Sequence, residues 1–281
     1  MGVGAHELVI NDDNYTQHVD PVVNGERVSR GAIPRDYSIQ GYQSSPMSYA
    51  VNIPLIPRSE WSDRIKEMEK TKSRISDIRR TALNGSHIPA LDQNGQGYCW
   101  AYSTGASILL TRAVMNQPYV RISPHAVACK IKGFRDQGGW GALSMEFAVK
   151  YGFPSEEFWP QKSMSRQNDN DKTWENARLH QVTEGWWDLD QQAYDRNLAF
   201  DQVMTLLLSR IPVVLDYNWW GHSVCGMDPV EVEKGSFGIR ILNSWTDNWG
   251  DKGEGVLQGS KAIPNGAVAP RVVDASIKVA A

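Results

Sequence analysis

Cysteine is scarce in this sequence: Cys99, Cys129 and Cys225 are the three in 281 residues. Three thiols leave one over under any pairing. That excludes a closed disulfide framework and points to a reducing compartment, or to a thiol with chemistry of its own. Long apolar runs are also missing, since no stretch approaches the roughly 20 residues of a membrane-spanning helix. The amino terminus, MGVGAHELVINDDN, lacks the basic start and the apolar run of about 7–15 residues that mark a secretory signal. His6 stands where a myristoylation motif after Gly2 requires Ser or Thr. These absences predict a cytoplasmic chain with no membrane partner. Neither sign of charge is in excess: 29 Lys and Arg against 32 Asp and Glu leave a net charge of -3. A broad basic field for nucleic acid is therefore excluded, and only short patches such as residues 66–80 are locally basic.

What is present is an ordinary globular composition, 41% apolar with 11 Trp, on a chain long enough for one large domain or two modest lobes. Residues 1–57 are rich in Asn, Asp, Gly, Pro and Ser. Their apolar alternations are short, as at Tyr49, Val51 and Ile53, which predicts an extended arm with little core of its own. In residues 58–85, Trp61, Ile65, Met68, Ile75 and Ile78 recur at near-helical spacing after Ser59, which predicts one amphipathic surface helix and a linker. Residues 86–281 form the main domain. Its first part, about 91–160, reads as helical, with helices expected from Cys99 to about 115, from Ser123 to about Lys130, and from Leu143 to Tyr151. A polar stretch at 161–176 predicts a surface loop. The remainder, about 177–281, reads as strands at Val213 to Leu215, Val224 to Met227, Phe237 to Leu242 and Val256 to Leu257, with one helix at 199–210. The fold class is therefore α+β, a helical half followed by a strand-rich half.

Chemistry concentrates at four points. A cysteine attacks as thiolate, and a helix N-terminus supplies roughly half a positive charge that lowers a thiol pKa. Cys99 stands where such a helix begins. The loop before it, Gln93 to Tyr98, carries two glycines that permit close backbone approach and a Gln93 amide able to donate to a developing oxyanion. A thiolate needs an imidazole as proton carrier, and His222, between Gly221 and the apolar SVCGM run, opens an expected strand. The imidazole in turn needs an orienting acceptor. Asn243 ends the next apolar strand, so a hairpin would set the two side by side. His6, His18, His87, His125 and His180 have no partner pattern, and neither a metal site nor a cofactor is expected.

The segment Gln93 to Ser103 and the run Asn243-Ser244-Trp245 with Trp249-Gly250 resemble the active-site motifs of the papain-like cysteine peptidases. Ile122-Ser123, Cys129, Gly138-Gly139-Trp140 and Ala142 to Gly152 resemble further segments of that family, and the likeness spans about residues 91–257. It implies a two-lobed fold with the active site in the cleft between a helical N-terminal lobe and an antiparallel β-barrel-like C-terminal lobe. It implies Cys99 as nucleophile, His222 as base and acid, Asn243 as orienter, and Gln93 with the Cys99 N–H as oxyanion donors. The backbone of Gly138 and Gly139 would pair with an extended peptide. Trp140, Gly141 and Ser223 would border the pocket for the side chain two residues before the scissile bond, and Trp245 would shield the Asn–His hydrogen bond.

The sequence also departs from the family pattern. Gln96 replaces the cysteine that would pair with Cys129, and Tyr98 replaces a small residue, which predicts a cleft narrowed beside the thiol. The helix in 58–85 distantly resembles an inhibitory pro-helix, and residues 1–85 as a propeptide is the lesser alternative to a structural helix. A peptide or protein substrate is the expected partner. Two other readings stand beside the peptidase: an assembly component, for example of a virion, contacting its partners through residues 1–57, and a thiol acyl transferase.

Overall fold

A computed structural model describes residues 7–36, 48–49, 54–189 and 196–271. Its centre is an eight-stranded sheet. The strands are β1 (Val9–Ile10), β4 (Ser48–Tyr49), β5 (Trp186–Asp188), β6 (Val213–Tyr217), β7 (His222–Glu233), β8 (Ser236–Leu242), β9 (Glu254–Gln258) and β10 (Gly266–Pro270), in the order β1-β9-β8-β7-β6-β10-β5-β4. A small hairpin, β2 (Val22–Val23) with β3 (Glu26–Arg27), lies in the arm. From β9 through to β5 every pairing is antiparallel, whereas β1 on β9 and β4 on β5 are parallel edges added by the arm. The expected antiparallel lobe is thus a linear mixed sheet whose two edges come from the amino-terminal segment, with no closing strand pair among the described residues. Of the alternation at Tyr49, Val51 and Ile53, the last two lie outside the described residues.

Strand periodicity sorts the two faces. Val214, Cys225, Met227, Leu242 and Val268 face a core shared with the helices α3 (Cys99–Val114), α4 (Pro124–Lys132) and α5 (Gly141–Lys150). Val213, Leu215, Val224, Ile239 and Ile241 face a second core with α1 (Arg58–Thr71) and α7 (Arg196–Leu208). Burying each such side chain is worth about 1.5–3 kcal/mol. The α3 helix is enclosed from Cys99 to Arg112, wedged between the sheet and its neighbouring helices, and this is what fixes its first residue against β7. The arm does hold some core, through Ile10, Val23 and Val28.

Two expected elements differ. The single helix of 58–85 is broken: Lys72 adopts the left-handed conformation, Ser73 N–H returns to the Met68 carbonyl, and α2 (Ile75–Thr81) starts afresh. Arg74 stabilises the restart by bonding both oxygens of Asp77. The expected loop at 161–176 contains α6 (Asp171–Ala177), whose N-cap Asn170 accepts the Thr173 N–H at 3.2 Å.

Candidate active site

Cys99 is the first residue of α3 and is fully buried. Tyr98 precedes it, and its ring turns away from the cleft into the helical layer. Its Oη donates to the Arg135 carbonyl at 2.9 Å, and its ring meets His125 edge-on at 5.1 Å. The expected narrowing by Tyr98 is therefore absent, because the helical core has room for the ring beneath the thiol. The thiol of Cys129 sits 3.4 Å from Met164 Sδ, and all three cysteines are free.

His222 opens β7 and Asn243 follows β8, so the β7–β8 hairpin brings them together. His222 Nε2 lies 2.8 Å from Asn243 Oδ1. That oxygen also accepts the Ser244 N–H at 2.7 Å, so Nε2 carries the hydrogen and the lone pair of the neutral ring is on Nδ1. Nδ1 makes no hydrogen bond among the described residues. Trp245 stacks on the imidazole with centroids 4.3 Å apart, and Trp220 meets it edge-on at 5.0 Å, which together exclude water from the His–Asn bond. The two halves meet through Ser103, one turn along α3 from Cys99, whose hydroxyl is 2.7 Å from that of Ser223, the neighbour of His222. Gln93 is buried in the loop before α3, its Oε1 accepting from the Ser244 hydroxyl at 2.5 Å.

No family model matches the chain. Mexicain from Jacaratia mexicana is 23% identical over 184 residues, covering 60% of this chain and 82% of mexicain. Xylellain, a cysteine protease from Xylella fastidiosa, superposes with a TM-score of 0.60 at 14% identity, covering 88% of this chain and 97% of its own. Digestive procathepsin L 3 of Tenebrio molitor larval midgut superposes at 0.52 and 16% identity, over 93% of this chain and 78% of its own. The chain resembles the papain-like cysteine peptidases in sequence and has their fold.

In this papain-like chain the cleft is occupied by its own arm. Gly31 and Ala32 donate N–H groups to the Gly221 carbonyl at 3.2 and 3.1 Å. Gly139 N–H donates to Gly31 O at 3.0 Å and Ile33 N–H to Gly139 O at 2.9 Å, a parallel bridge centred on Ala32. Gly138 backs onto the same arm residues. Gln93 Nε2 donates to the arm carbonyl of Ser29 at 3.1 Å and to Gln96 O at 3.2 Å, and Trp245 Nε1 donates to Ser29 O at 3.0 Å. Gly31 fits only because it has no side chain: a Cβ there would lie 2.0 Å from the Gly97 carbonyl oxygen.

Burial sets the electrostatics of the pair, and the arm adds to them through Ala32 and Arg30. Burial pushes the Cys99 thiol up to about 12, the Asp216 charge adds to this, and the N–H groups of Ser223, Ala32 and Trp100 oppose it. Burial pushes His222 down to about 3, aided by Arg30, with the Asn243 hydrogen bond opposing. Covered, the pair is a neutral thiol and a neutral imidazole.

The other expected substrate-side residues lie in the same wall. Trp140 is buried, with Lys132 Nζ 5.8 Å from its ring centre, and Gly141 N–H donates to Asp216 Oδ2 at 2.8 Å. Asp216, Asp188, Arg35, Gly31 and Ala32 were not singled out by sequence. The one local signal was at Asp216, a carboxylate closing the apolar run Val213 to Leu215. No helix among the described residues is long and apolar enough to cross a membrane.

Proposed function

We propose that the chain is a cysteine peptidase held inactive by its N-terminal arm. Once the arm leaves, His222 Nδ1 takes the Cys99 proton and the thiolate attacks a peptide carbonyl. Gln93 Nε2, released from Ser29 O, and the Cys99 N–H receive the oxyanion. His222 returns the proton to the leaving amine, and water cleaves the thioester to give acid and free thiol. Asn243 keeps Nδ1 facing the sulfur throughout. The observation that carries this reading is the His222–Asn243 bond under Trp245, with Nδ1 making no hydrogen bond among the described residues and the Cys99 thiol against the backbone N–H of Ser223, the neighbour of His222.

The arm, within residues 1–57, is the removable part in this reading, and 58–85 belongs to the catalytic body. Trp61 and Ile65 fill the second core and Ile75 the first, and the buried Arg79 guanidinium is 2.6 Å from buried Glu254. Activation by cleavage would therefore fall between the arm and α1, ahead of Gly85 to Ile88. The three free thiols fit a reducing compartment such as the cytoplasm.

A second reading, an assembly component with an idle cleft, draws support from the seated arm. The test is full-length protein carrying Gly31→Val, incubated with an unstructured polypeptide. Cleavage that disappears on Cys99→Ala supports the peptidase. A folded variant that cleaves nothing leaves the assembly reading standing.

A further inference from the structure

Asp216 lies directly opposite Ser223 on β7, one residue from His222. Its Oδ1 is shut off from solvent and makes no hydrogen bond among the described residues, while Oδ2 holds the Gly141 N–H. A second carboxylate shares this face of the sheet. On β10, Gly266 is opposite Asp216 and Val268 is opposite Asp188, and residues two apart on a strand point the same way. Asp188 is wholly enclosed and grips the Arg35 guanidinium with both oxygens at 3.0 Å. Arg35 is three residues beyond Ala32, the arm residue paired with Gly139, so the arm carries a guanidinium into an acidic pocket beside the thiol. A cavity of about 250 Å³ continues from it, bordered by Arg35, Leu189, Asp216, Asn218 and Gly266. Arg196 on the cavity wall is already bonded to the Ile263 carbonyl.

We infer that this pocket selects a basic substrate side chain, arginine ahead of lysine, two residues before the scissile bond, and that Arg35 is its stand-in while the arm is seated. This deepens the peptidase reading and rests on it. When the arm leaves, the Asp188 carboxylate loses its bidentate guanidinium in an enclosed site, and removing one partner of a buried ion pair is costly. A planar guanidinium restores two parallel hydrogen bonds, an ammonium restores charge without the fork, and an aliphatic side chain restores neither. A pocket built around charge rejects a neutral occupant more strongly than an apolar pocket rejects one of the wrong size.

The test uses full-length Gly31→Val, and Arg35→Ala as a second way of vacating the pocket should the first fail to fold. Fluorogenic peptides differ only at the second residue before the reporter: Arg, Lys, Leu, Phe or Glu. The expected result is a kcat/KM for Arg more than tenfold above that for Leu, with Lys between them. Asp188→Asn and Asp216→Asn, placed separately in the same background, should each reduce the Arg-to-Leu ratio at least fivefold, mainly through KM for Arg, while Leu cleavage persists. Equal or better cleavage of Leu or Phe, or a ratio unmoved by both Asn variants, overturns the pocket assignment and leaves the peptidase reading intact. No cleavage of any peptide by folded protein overturns both.

Discussion

Arg79→Met tests whether the α1–α2 segment belongs to the body of the enzyme. The Arg79 side chain is completely buried. It donates to Glu254 Oε1 at 2.6 Å, to the Lys252 carbonyl at 2.8 Å and to Asp247 at 3.4 Å. Removing one partner of a buried ion pair costs about 3–5 kcal/mol, because the other charge is left without compensation. Glu254 keeps Arg80 at 2.6 Å and Arg240 at 3.6 Å, which places the loss at the lower end, about 3 kcal/mol. For a domain of this size that is a fall in Tm of roughly 6–12 °C. Urea unfolding of wild type, Arg79→Met, Glu254→Gln and the double variant measures it, and the double variant should be less destabilised than the sum of the singles. A loss under about 1 kcal/mol for Arg79→Met, well below that range, would refute the clamp. Residues 58–85 would then be detachable like the arm.

Three further outcomes follow from the site. Asn243→Ala in an arm-displaced chain should lower kcat about 10²-fold with little change in KM, since the imidazole loses the acceptor that fixes its tautomer; an unchanged kcat measured by peptide hydrolysis contradicts the orienting role. Tyr98→Phe should cost about 1 kcal/mol in urea unfolding through the lost bond to Arg135 and leave thiol labelling unchanged, whereas faster labelling would mean the ring does guard the cleft. The arm should loosen in acid: covered His222 protonates only at about 3, an uncovered imidazole near its ordinary value of about 6.5, so opening takes up a proton between these values and is favoured as pH falls through that window. Hydrogen exchange of the Gly31, Ala32 and Ile33 amides, normalised for intrinsic rate, should lose protection below about pH 6.5, by up to tenfold per unit; protection constant from pH 7 to 4 contradicts this.

Much of the reactive geometry was legible because it is local. The Gly-rich loop, the Pro-free apolar run after Cys99 and the two apolar strands bearing His222 and Asn243 each signal a short-range structure, and one hairpin joins the last two. The occupied cleft was not legible. Gly31 meets Gly97, and Ala32 meets Gly139 and Gly221, across sequence separations that no periodicity encodes. The acidic pocket was hidden for the same reason, since Asp188 and Asp216 share a face only through β10, which comes later in the chain than either. Tyr98 was misread because its neighbours in sequence line the cleft, whereas its contacts are with Arg135 and His125 in the helical layer. The break at Lys72 escaped the helical periodicity because Ile75 resumes the apolar spacing after the turn.

The central claim is that Cys99 is an activated nucleophile kept silent by the arm, and alkylation of Cys99 by iodoacetamide at pH 7 in full-length wild type and Gly31→Val tests it most directly. A thiol at about 12 has a thiolate fraction of about 10⁻⁵ at that pH, and one at the ordinary value of about 8.5 has about 3%. Displacing the arm should therefore raise the Cys99 rate at least about 10³-fold while Cys129 and Cys225 stay slow, and the part of the rate that exceeds an ordinary thiol's should be lost on His222→Ala in the same chain. Cys99 labelled no faster than the other two thiols in a folded Gly31→Val chain would contradict the account.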